Sequence, residues 1–184
     1  ALMAPPNLNP PPDYSGPKVD ACRLVEAELY GYSHLTLSRA IPHLMDGLKE
    51  SQRILLWFIH KHMRENATMK TCDLPPQASK EFHYQHGNAS LVGALQKMAM
   101  DWQGANNLPP IQGVGEFGTC CMQGHDCAAD RYTSVRRHVI FGLMHPSVDR
   151  DIHHLVVRQN DMVEPEYMPS VIPWWVVNGA SGIA

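Results

Sequence analysis

Residues 108–132 read LPPIQGVGEFGTCCMQGHDCAADRY. Glycine and proline are too frequent between residues 108 and 127 for a regular helix. We therefore predict a strand, a tight turn and a looping wing in this part of the chain.

The segments around the wing have the periodicity of amphipathic helices. Apolar residues recur every three or four positions over about 19–32, and a wide apolar stripe predicts a second helix over about 49–62. A third helix is expected to begin after Asn88, a good N-cap, and to carry apolar residues as far as Trp102. A fourth is predicted over about 129–143.

The order of these elements predicts the fold class. β-branched residues at 152–157 indicate a strand that follows the last helix. Helices followed by a short glycine-rich hairpin are typical of an α+β, winged-helix (CAP-like) domain. Six of the fifteen prolines lie within the first seventeen residues, so residues 1–18 are predicted to be a proline-rich extended arm.

Composition excludes several classes of protein. With 184 residues, 44% of them hydrophobic and 18% charged, the chain has enough apolar surface for a core, so wholesale disorder is excluded. The longest apolar runs, 54–59 and 171–177, are much shorter than a bilayer span, so we expect no membrane protein. Residues 1–17 lack the pattern of a secretory signal, and five cysteines are an odd number. These two features predict reduced thiols and an intracellular protein.

One cysteine-rich cluster leaves a metal-stabilised interaction domain open as an alternative. The possible ligands are Cys120, Cys121, His125 and Cys127. The cluster lacks a second ligand pair at a spacing that closes a tetrahedron, and adjacent cysteines rarely bind one metal together. We therefore expect no stoichiometric zinc.

Basic residues cluster locally, although the net charge of the whole chain is −3. One cluster lies between residues 39 and 64, and a second lies beside Tyr132. Such clusters are either ordinary solvated faces or a track for the phosphates of a nucleic acid. His83 and His86 precede Gly87 and a helix start, where they would suit a nucleophile-assisting or phosphate-binding pair.

A series of motifs along the chain resembles one enzyme family. The motifs are RAIPHLMDGLKESQR at 39–53, HG at 86–87, GVGEFGT at 113–119, DCAADRY at 126–132, EPEYMPSVIP at 164–173 and NGASGIA at 178–184. In this order they resemble the DNA-cleavage region of type IIA DNA topoisomerases. The pattern is closest to eukaryotic, viral and phage enzymes.

The resemblance implies a catalytic role for four residues. Tyr132 would attack a phosphodiester of double-stranded DNA and hold the new 5′ end as a phosphotyrosyl ester. Arg131 would neutralise the charge that grows on the phosphate in the transition state. His86 matches the histidine beside the family's glycine. His83 is the expected second member of the pair, although it stands three positions from His86, whereas the family's histidines are adjacent or one apart.

The resemblance also implies the residues that bind DNA. Arg39, Lys49 and Arg53 match positions that grip the DNA backbone near the scissile bond. Ile183 corresponds to an apolar wedge that enters a base step and bends the duplex. Cys120 stands where eukaryotic relatives have an arginine, so a phosphate contact is either lost here or supplied by a neighbouring residue.

The domain division and the partners follow from the same resemblance. Residues 19–145 would form the winged-helix domain with the catalytic tyrosine, and residues 146–184 would begin the tower domain. Magnesium would be held by a TOPRIM domain, ATP would be used by an ATPase domain or subunit, and the enzyme would be a homodimer. The expected location is the cytoplasm of a bacterial host for a phage protein, and the nucleus or a viral factory for a eukaryotic or viral one. The main alternative is a non-catalytic winged-helix module, in which Tyr132 is structural and a recognition helix enters the major groove.

Overall fold

The computed structural model describes residues 15–16, 18, 20–158 and 161–180. Its elements, in chain order, are α1 (Ala21–Leu24), a π-helical turn (Val25–Leu29), α2 (Tyr30–Ala40), α3 (Glu50–His62), β1 (Thr68–Lys70), α4 (Leu74–Glu81), α5 (Asn88–Ala99), β2 (Ile111–Val114), β3 (Ser134–Arg137), α6 (Val139–Met144), a 3-10 helix (Ser147–Ile152), β4 (Leu155–Arg158), β5 (Asp161–Pro165) and α7 (Trp174–Asn178). The arm predicted for 1–18 lies almost wholly outside the described residues. None of the described helices is long and apolar enough to cross a membrane.

The first helical stretch is longer than the predicted 19–32, since α1, the π-helical turn and α2 follow one another without a break. Asp20 begins it, because its carboxylate accepts the backbone N–H of Cys22 at 3.0 Å. Its end is set by Pro42, which forces the residue before it into an extended conformation. Ala27 is the one buried residue along these three elements, so the stretch lies on the surface of the described chain.

Helix α3 forms the centre of the core, and its predicted range of 49–62 is confirmed to within one residue. Residues 54–59 are each at most 5% exposed. They share one hydrophobic cluster with residues from nearly every other element, among them Leu74, Phe82, Leu91, Leu95, Ile111, Val135, Phe141, Val163, Met168 and Trp174. The wide apolar stripe seen in the sequence is therefore buried on several sides.

Two helices follow α3 and pack against it. Helix α4 was not predicted from the sequence. Its first turn contains Pro75 and Pro76, which are tolerated there because the N–H groups of a first turn have no intrahelical partner. Helix α5 was predicted to start after Asn88. In the structure Asn88 is its first residue and Gly87, with φ of 80°, is the cap. The helix ends at Ala99, one turn before the predicted limit.

The fourth helix predicted over 129–143 is wrong in its first half. Residues 134–137 form β3, which pairs antiparallel with both β1 and β2 in a sheet of order β1-β3-β2. A strand with a neighbour on each side can pair its backbone N–H and C=O groups along both edges, and this outweighs local helix preference. Only α6 remains of the predicted helix.

The strand and the loop predicted from the glycine-rich stretch are present as β2 and as a loop over residues 115–133. From α3 to β3 the elements run helix, strand, helix, helix, strand, strand. This order is consistent with a winged-helix domain, and the α+β fold class is confirmed.

The second sheet is the antiparallel hairpin of β4 and β5. The strand predicted over 152–157 begins only at Leu155, because Ile152 ends a 3-10 helix. Val163 and Met168 belong to the same core cluster as α3. The C-terminal segment is thus packed onto the helical part, and the boundary between 19–145 and 146–184 stays a prediction.

Candidate active site

Tyr132 lies at the end of the wing, in the turn that leads into β3. Tyr132 is 72% exposed. The backbone N–H of Tyr132 donates to the carbonyl oxygen of Ala129 at 2.9 Å. The Cζ atom of Arg131 lies 5.0 Å from the centre of the tyrosine ring, a cation–π contact. The predicted nucleophile and its arginine are therefore adjacent and open to solvent.

The backbone on both sides of Tyr132 is fixed to the end of β1. The ammonium Nζ of Lys70 donates to the carbonyl oxygen of Arg131 at 3.0 Å. The hydroxyl of Thr133 donates to the hydroxyl of Thr71 at 2.8 Å, and the N–H of Thr71 donates to the carbonyl of Thr133 at 3.1 Å. Both threonines are fully buried. Lys70 and Thr71 could not be predicted from the sequence, because no local pattern signals a contact across about sixty residues.

The tip of the wing is closed by its own hydrogen bonds. The carboxylate of Asp126 accepts from the N–H of Thr119 at 2.8 Å and from its hydroxyl at 2.7 Å. These bonds lower the pKa of Asp126. At the base of the loop, the N–H of Ala128 donates to the carbonyl of Glu116 at 3.0 Å. The chain therefore returns from the wing to β3 along a defined path.

The two candidate histidines have different surroundings. His86 is exposed, just before the Gly87 cap of α5, and its ring makes an edge contact with Tyr84 at 5.4 Å. His83 has a positive φ of 51°, and its Nε2 lies 2.9 Å from the carboxylate of Asp161 in β5. Within the described residues, no hydrogen bond or ring contact joins either histidine to Tyr132. The catalytic role of His83 and His86 therefore stays a prediction.

Two of the predicted DNA-binding cations are accessible. Arg39 is half-buried in the last turn of α2. Lys49 is half-buried immediately before α3, where its backbone N–H donates to the side chain of Gln52 at 2.9 Å. Ile183, the predicted wedge, lies outside the described residues.

Arg53 is only 7% exposed. Its guanidinium makes two hydrogen bonds to the carboxylate of Asp46 and donates to the carbonyl of Leu48 at 2.8 Å. This arrangement favours a structural role for Arg53 over the direct phosphate contact predicted from the sequence.

A cavity of about 500 Å³ lies beside Lys49, between the start of α3, the end of α5 and α7. Lys97 lines the same cavity, and no carboxylate is found among its described lining residues. The cavity is therefore positively charged. Lys97 was not singled out in the sequence, because a lone lysine on a helix is usually an ordinary solvated residue.

Asn178 ties the C-terminal segment to the segment before β2. Its side-chain oxygen accepts the N–H of Leu108 at 2.9 Å, and its side-chain nitrogen donates to the carbonyl of Leu108 at 2.8 Å. Asn107 adds a bond to the carbonyl of Val177 at 2.7 Å. The asparagine of the NGASGIA motif therefore has a structural role in the described part of that motif.

The described residues do not form a metal-binding site. No group of three or more His, Cys, Asp or Glu side chains there is placed to hold an ion. The thiols of Cys120 and Cys127 lie near carbonyl oxygens, and burial raises the pKa of Cys127.

Comparison with known proteins gives the family. The model for the A-subunit family of DNA gyrase and topoisomerase IV matches residues 39–184 of the sequence. The chain belongs to this family. It is 34% identical over 159 residues to a putative mitochondrial DNA topoisomerase 2 of Caenorhabditis elegans. It is also 34% identical to DNA topoisomerase 2-alpha of Gallus gallus and 31% identical to DNA topoisomerase 2-beta of Homo sapiens, each over 159 residues.

Each of these alignments covers 86% of this chain, but only 14% of the Caenorhabditis elegans protein and 10% of the other two. This family member therefore spans a small part of the length of its relatives. Among solved structures, it matches the DNA-binding, cleavage and re-ligation domain of Plasmodium falciparum topoisomerase II with a TM-score of 0.82 and 30% sequence identity. That match covers 88% of this chain and 22% of the other.

Proposed function

We propose that this chain is the tyrosine-bearing DNA-cleavage part of a type II DNA topoisomerase, an ATP-dependent isomerase. The observation that carries the proposal is the exposed side chain of Tyr132 beside Arg131, in a turn whose backbone is anchored on both sides. A purely structural tyrosine would gain stability from burial. In the alternative, a non-catalytic winged-helix module, Tyr132 would be structural, and an exposed ring in contact with an arginine contributes little to the stability of the fold.

The chemistry is a transesterification. The Oη atom of Tyr132 forms a bond to a DNA phosphorus while the bond from that phosphorus to the 3′ oxygen breaks. The phenolic proton passes to a base, and the departing 3′ oxygen takes up a proton. The 5′-phosphotyrosyl ester keeps the energy of the broken bond, so the reverse reaction reseals the strand without ATP.

Two neighbouring side chains would assist this step. A phenol with a pKa near 10 is a poor nucleophile at neutral pH, so the phosphate has to be polarised. Arg131 would neutralise charge on the phosphate in the transition state. His86, exposed at the start of α5, would bind the phosphate or receive the proton. We give His83 a lesser role, because its ring is already engaged by Asp161.

The proposed DNA track uses three accessible cations. Arg39 and Lys49 would contact backbone phosphates, and Lys97 would join them across the positively charged cavity. Arg53 would act indirectly, by fixing the turn before Lys49. Ile183 would be the wedge that bends the duplex.

The proposal requires partners. A double-strand break needs two tyrosines, and therefore a homodimer. The described residues do not form a magnesium site, so the Mg²⁺ of the family would be held by a TOPRIM domain and ATP by an ATPase domain outside them. Exposed apolar side chains on α1 and α2 support packing against such a domain, among them Leu24, Leu35 and Leu37. DNA as substrate places the protein inside a cell or organelle, and a viral or phage source stays a prediction.

The test is a cleavage-trapping assay. The chain is mixed with supercoiled plasmid, Mg²⁺ and a TOPRIM-bearing partner, quenched with detergent and digested with protease. Linear DNA is expected with the natural chain and absent with Tyr132→Phe. Tyr32→Phe is the matched control, because Tyr32 is 70% exposed against 72% for Tyr132.

Two results would contradict the proposal. Linear DNA that persists in Tyr132→Phe would assign the nucleophile elsewhere. Normal duplex binding without linear product, in the presence of a partner that is active with a related cleavage domain, would favour the non-catalytic module.

A further inference from the structure

We propose that Lys70 and Thr71 are positioning residues that hold the backbone of the nucleophile Tyr132; this inference rests on the function proposed above. Neither residue belongs to a motif that carries the family resemblance. Lys70 is the last residue of β1 and Thr71 follows it, and neither is expected to touch the phosphorus.

The antiparallel register places the end of β1 opposite the start of β3. Lys70 pairs with Ser134, so Thr71 comes level with Thr133. The turn that carries Tyr132 therefore passes directly beside the end of β1. From there the side chain of Lys70 reaches back to the carbonyl oxygen of Arg131 at 3.0 Å.

The threonine pair anchors the other side of Tyr132. The two hydroxyls are 2.8 Å apart, and the backbone bond from Thr71 to Thr133 is 3.1 Å. Both residues are 0% exposed, so a missing partner would leave a polar group unsatisfied inside the protein. A second acceptor for the Thr133 hydroxyl, the carbonyl of Asp130, is longer at 3.4 Å.

These contacts do not involve the tyrosine ring, but they restrain the backbone on both sides of Tyr132. Arg131 and Thr133 are each held to the end of β1, so the Cα of Tyr132 has little room to move. In-line attack needs the attacking oxygen close to the phosphorus, and a displacement of about 1 Å lowers a rate roughly 100-fold. Positioning therefore affects the rate of attack more than the affinity for DNA.

The first experiment separates positioning from phosphate binding, since the exposed Lys70 ammonium could instead contact DNA. DNA affinity is measured by fluorescence anisotropy, and the rate of covalent adduct formation is measured at saturating DNA with Mg²⁺ and the TOPRIM-bearing partner. Lys70→Met should lower the rate about 10- to 100-fold while Kd changes less than about threefold. Lys70→Arg, which keeps a donor, should recover most of the rate.

Lys80→Met is the matched control, because it removes an exposed lysine from α4. It should leave the rate unchanged. A weaker Kd with an unchanged rate in Lys70→Met would make Lys70 a phosphate contact and overturn the proposal. No change in either quantity would overturn it as well.

The threonine side is tested with Thr71→Val, which keeps the shape and removes the hydroxyl. The adduct rate should fall about tenfold, and Thr71→Ser should restore it. Melting temperatures of both variants show whether they are folded. A folded Thr71→Val variant with the full rate would remove Thr71 from the proposal.

A final measurement does not depend on activity. Hydrogen exchange of the Tyr132 amide should become about five- to tenfold faster in Lys70→Met, because the turn is no longer held at Arg131. Unchanged exchange would show that the contact does not restrain the turn. Failure of the natural chain to form any adduct would instead contradict the proposed function, and the exchange rates would still report on the restraint.

Discussion

Arg53 and Asp46 form a two-point ion pair in the core, with Nε 2.7 Å from Oδ2 and Nη2 3.1 Å from Oδ1. The same carboxylate accepts the backbone N–H groups of Leu48 and Met168, each at 2.9 Å. One buried aspartate therefore fixes the turn before α3 and the C-terminal segment together. Asp46 and Arg53, the acidic and basic residues of the motif at 39–53, therefore stabilise the fold.

The first prediction concerns this pair. Asp46→Ala leaves the Arg53 guanidinium buried without its counter-charge, and the free energy of unfolding should fall by about 3–5 kcal/mol. Chemical denaturation measures the loss. Glu81→Ala is the control, because it removes the ion pair with Lys61, whose side chain is 46% exposed, and the contact with His62, whose side chain is 40% exposed. It should cost less than about 1 kcal/mol. Equal losses would contradict the assignment.

His145 should make stability depend on pH. Its Nε2 accepts the indole N–H of Trp174 at 2.9 Å, so its Nδ1 carries the proton and donates to the carbonyl of Pro169 at 2.9 Å. The neutral ring is thus fully bonded. Burial lowers the pKa of His145 to about 4, and nearby His153 and Arg137 act in the same direction, while Pro169 and Asp46 oppose the shift.

As the pH falls, His145 becomes protonated near pH 6.5 in the unfolded chain and only near pH 4 in the folded chain. The contribution of His145 to stability is therefore complete above about pH 6.5 and is lost as the pH falls towards 4; its size is on the order of 3 kcal/mol. Denaturation at pH 7 and pH 4.5 should show a smaller loss of stability for His145→Gln than for the natural chain. His154→Gln, at an exposed position, should behave like the natural chain. An NMR titration of His145 with a midpoint near 6.5 would refute the prediction.

Gly47 should not tolerate a side chain. Its φ is 74°, and a Cβ atom would lie 2.4 Å from the backbone nitrogen of Trp175. Gly47→Ala should lower the free energy of unfolding by at least about 2 kcal/mol. Gly93→Ala, inside α5 and with open space around it, should instead raise it by about 0.5–1 kcal/mol. Thermal unfolding of the two variants should show opposite shifts.

Asp126 should keep the tip of the wing closed. Asp126→Ala removes both bonds to Thr119, so limited proteolysis between residues 119 and 126 should become about fivefold faster. Asp101→Ala changes an exposed carboxylate outside this loop and should not alter the cleavage rate. Equal cleavage rates for Asp126→Ala and the natural chain would mean that other bonds close the loop.

The sequence predicted the elements that have a local signal. The stripe of apolar residues in α3 and the glycines of the wing each encode their structure within a few residues. Residues 134–137 do not, because their strand conformation depends on pairing with β1 and β2, which are distant in sequence. Helix α4 was missed because Pro75 and Pro76 are usually signs of a loop.

The candidate site divides in the same way. Tyr132 and Arg131 were found because a short motif contains both. The contacts of Lys70 with Arg131 and of Thr71 with Thr133 join residues more than sixty positions apart, so no window of sequence reveals them. The burial of Arg53 could not be predicted either. A basic residue near the start of a helix has the same local sequence pattern whether its side chain faces solvent or an aspartate.

The strand order β1-β3-β2 has a consequence for the growing polypeptide. The central strand is the last of the three in the chain, so β1 and β2 have no partner in this sheet until residues 134–137 have left the ribosome. The turn of Tyr132 is anchored to β1 by the same pairing. A nascent chain that stops before β3 therefore contains Tyr132 but not the contacts that hold its turn against β1. The pairing of β3 with β1 and β2 and the positioning of the nucleophile take place in the same folding step.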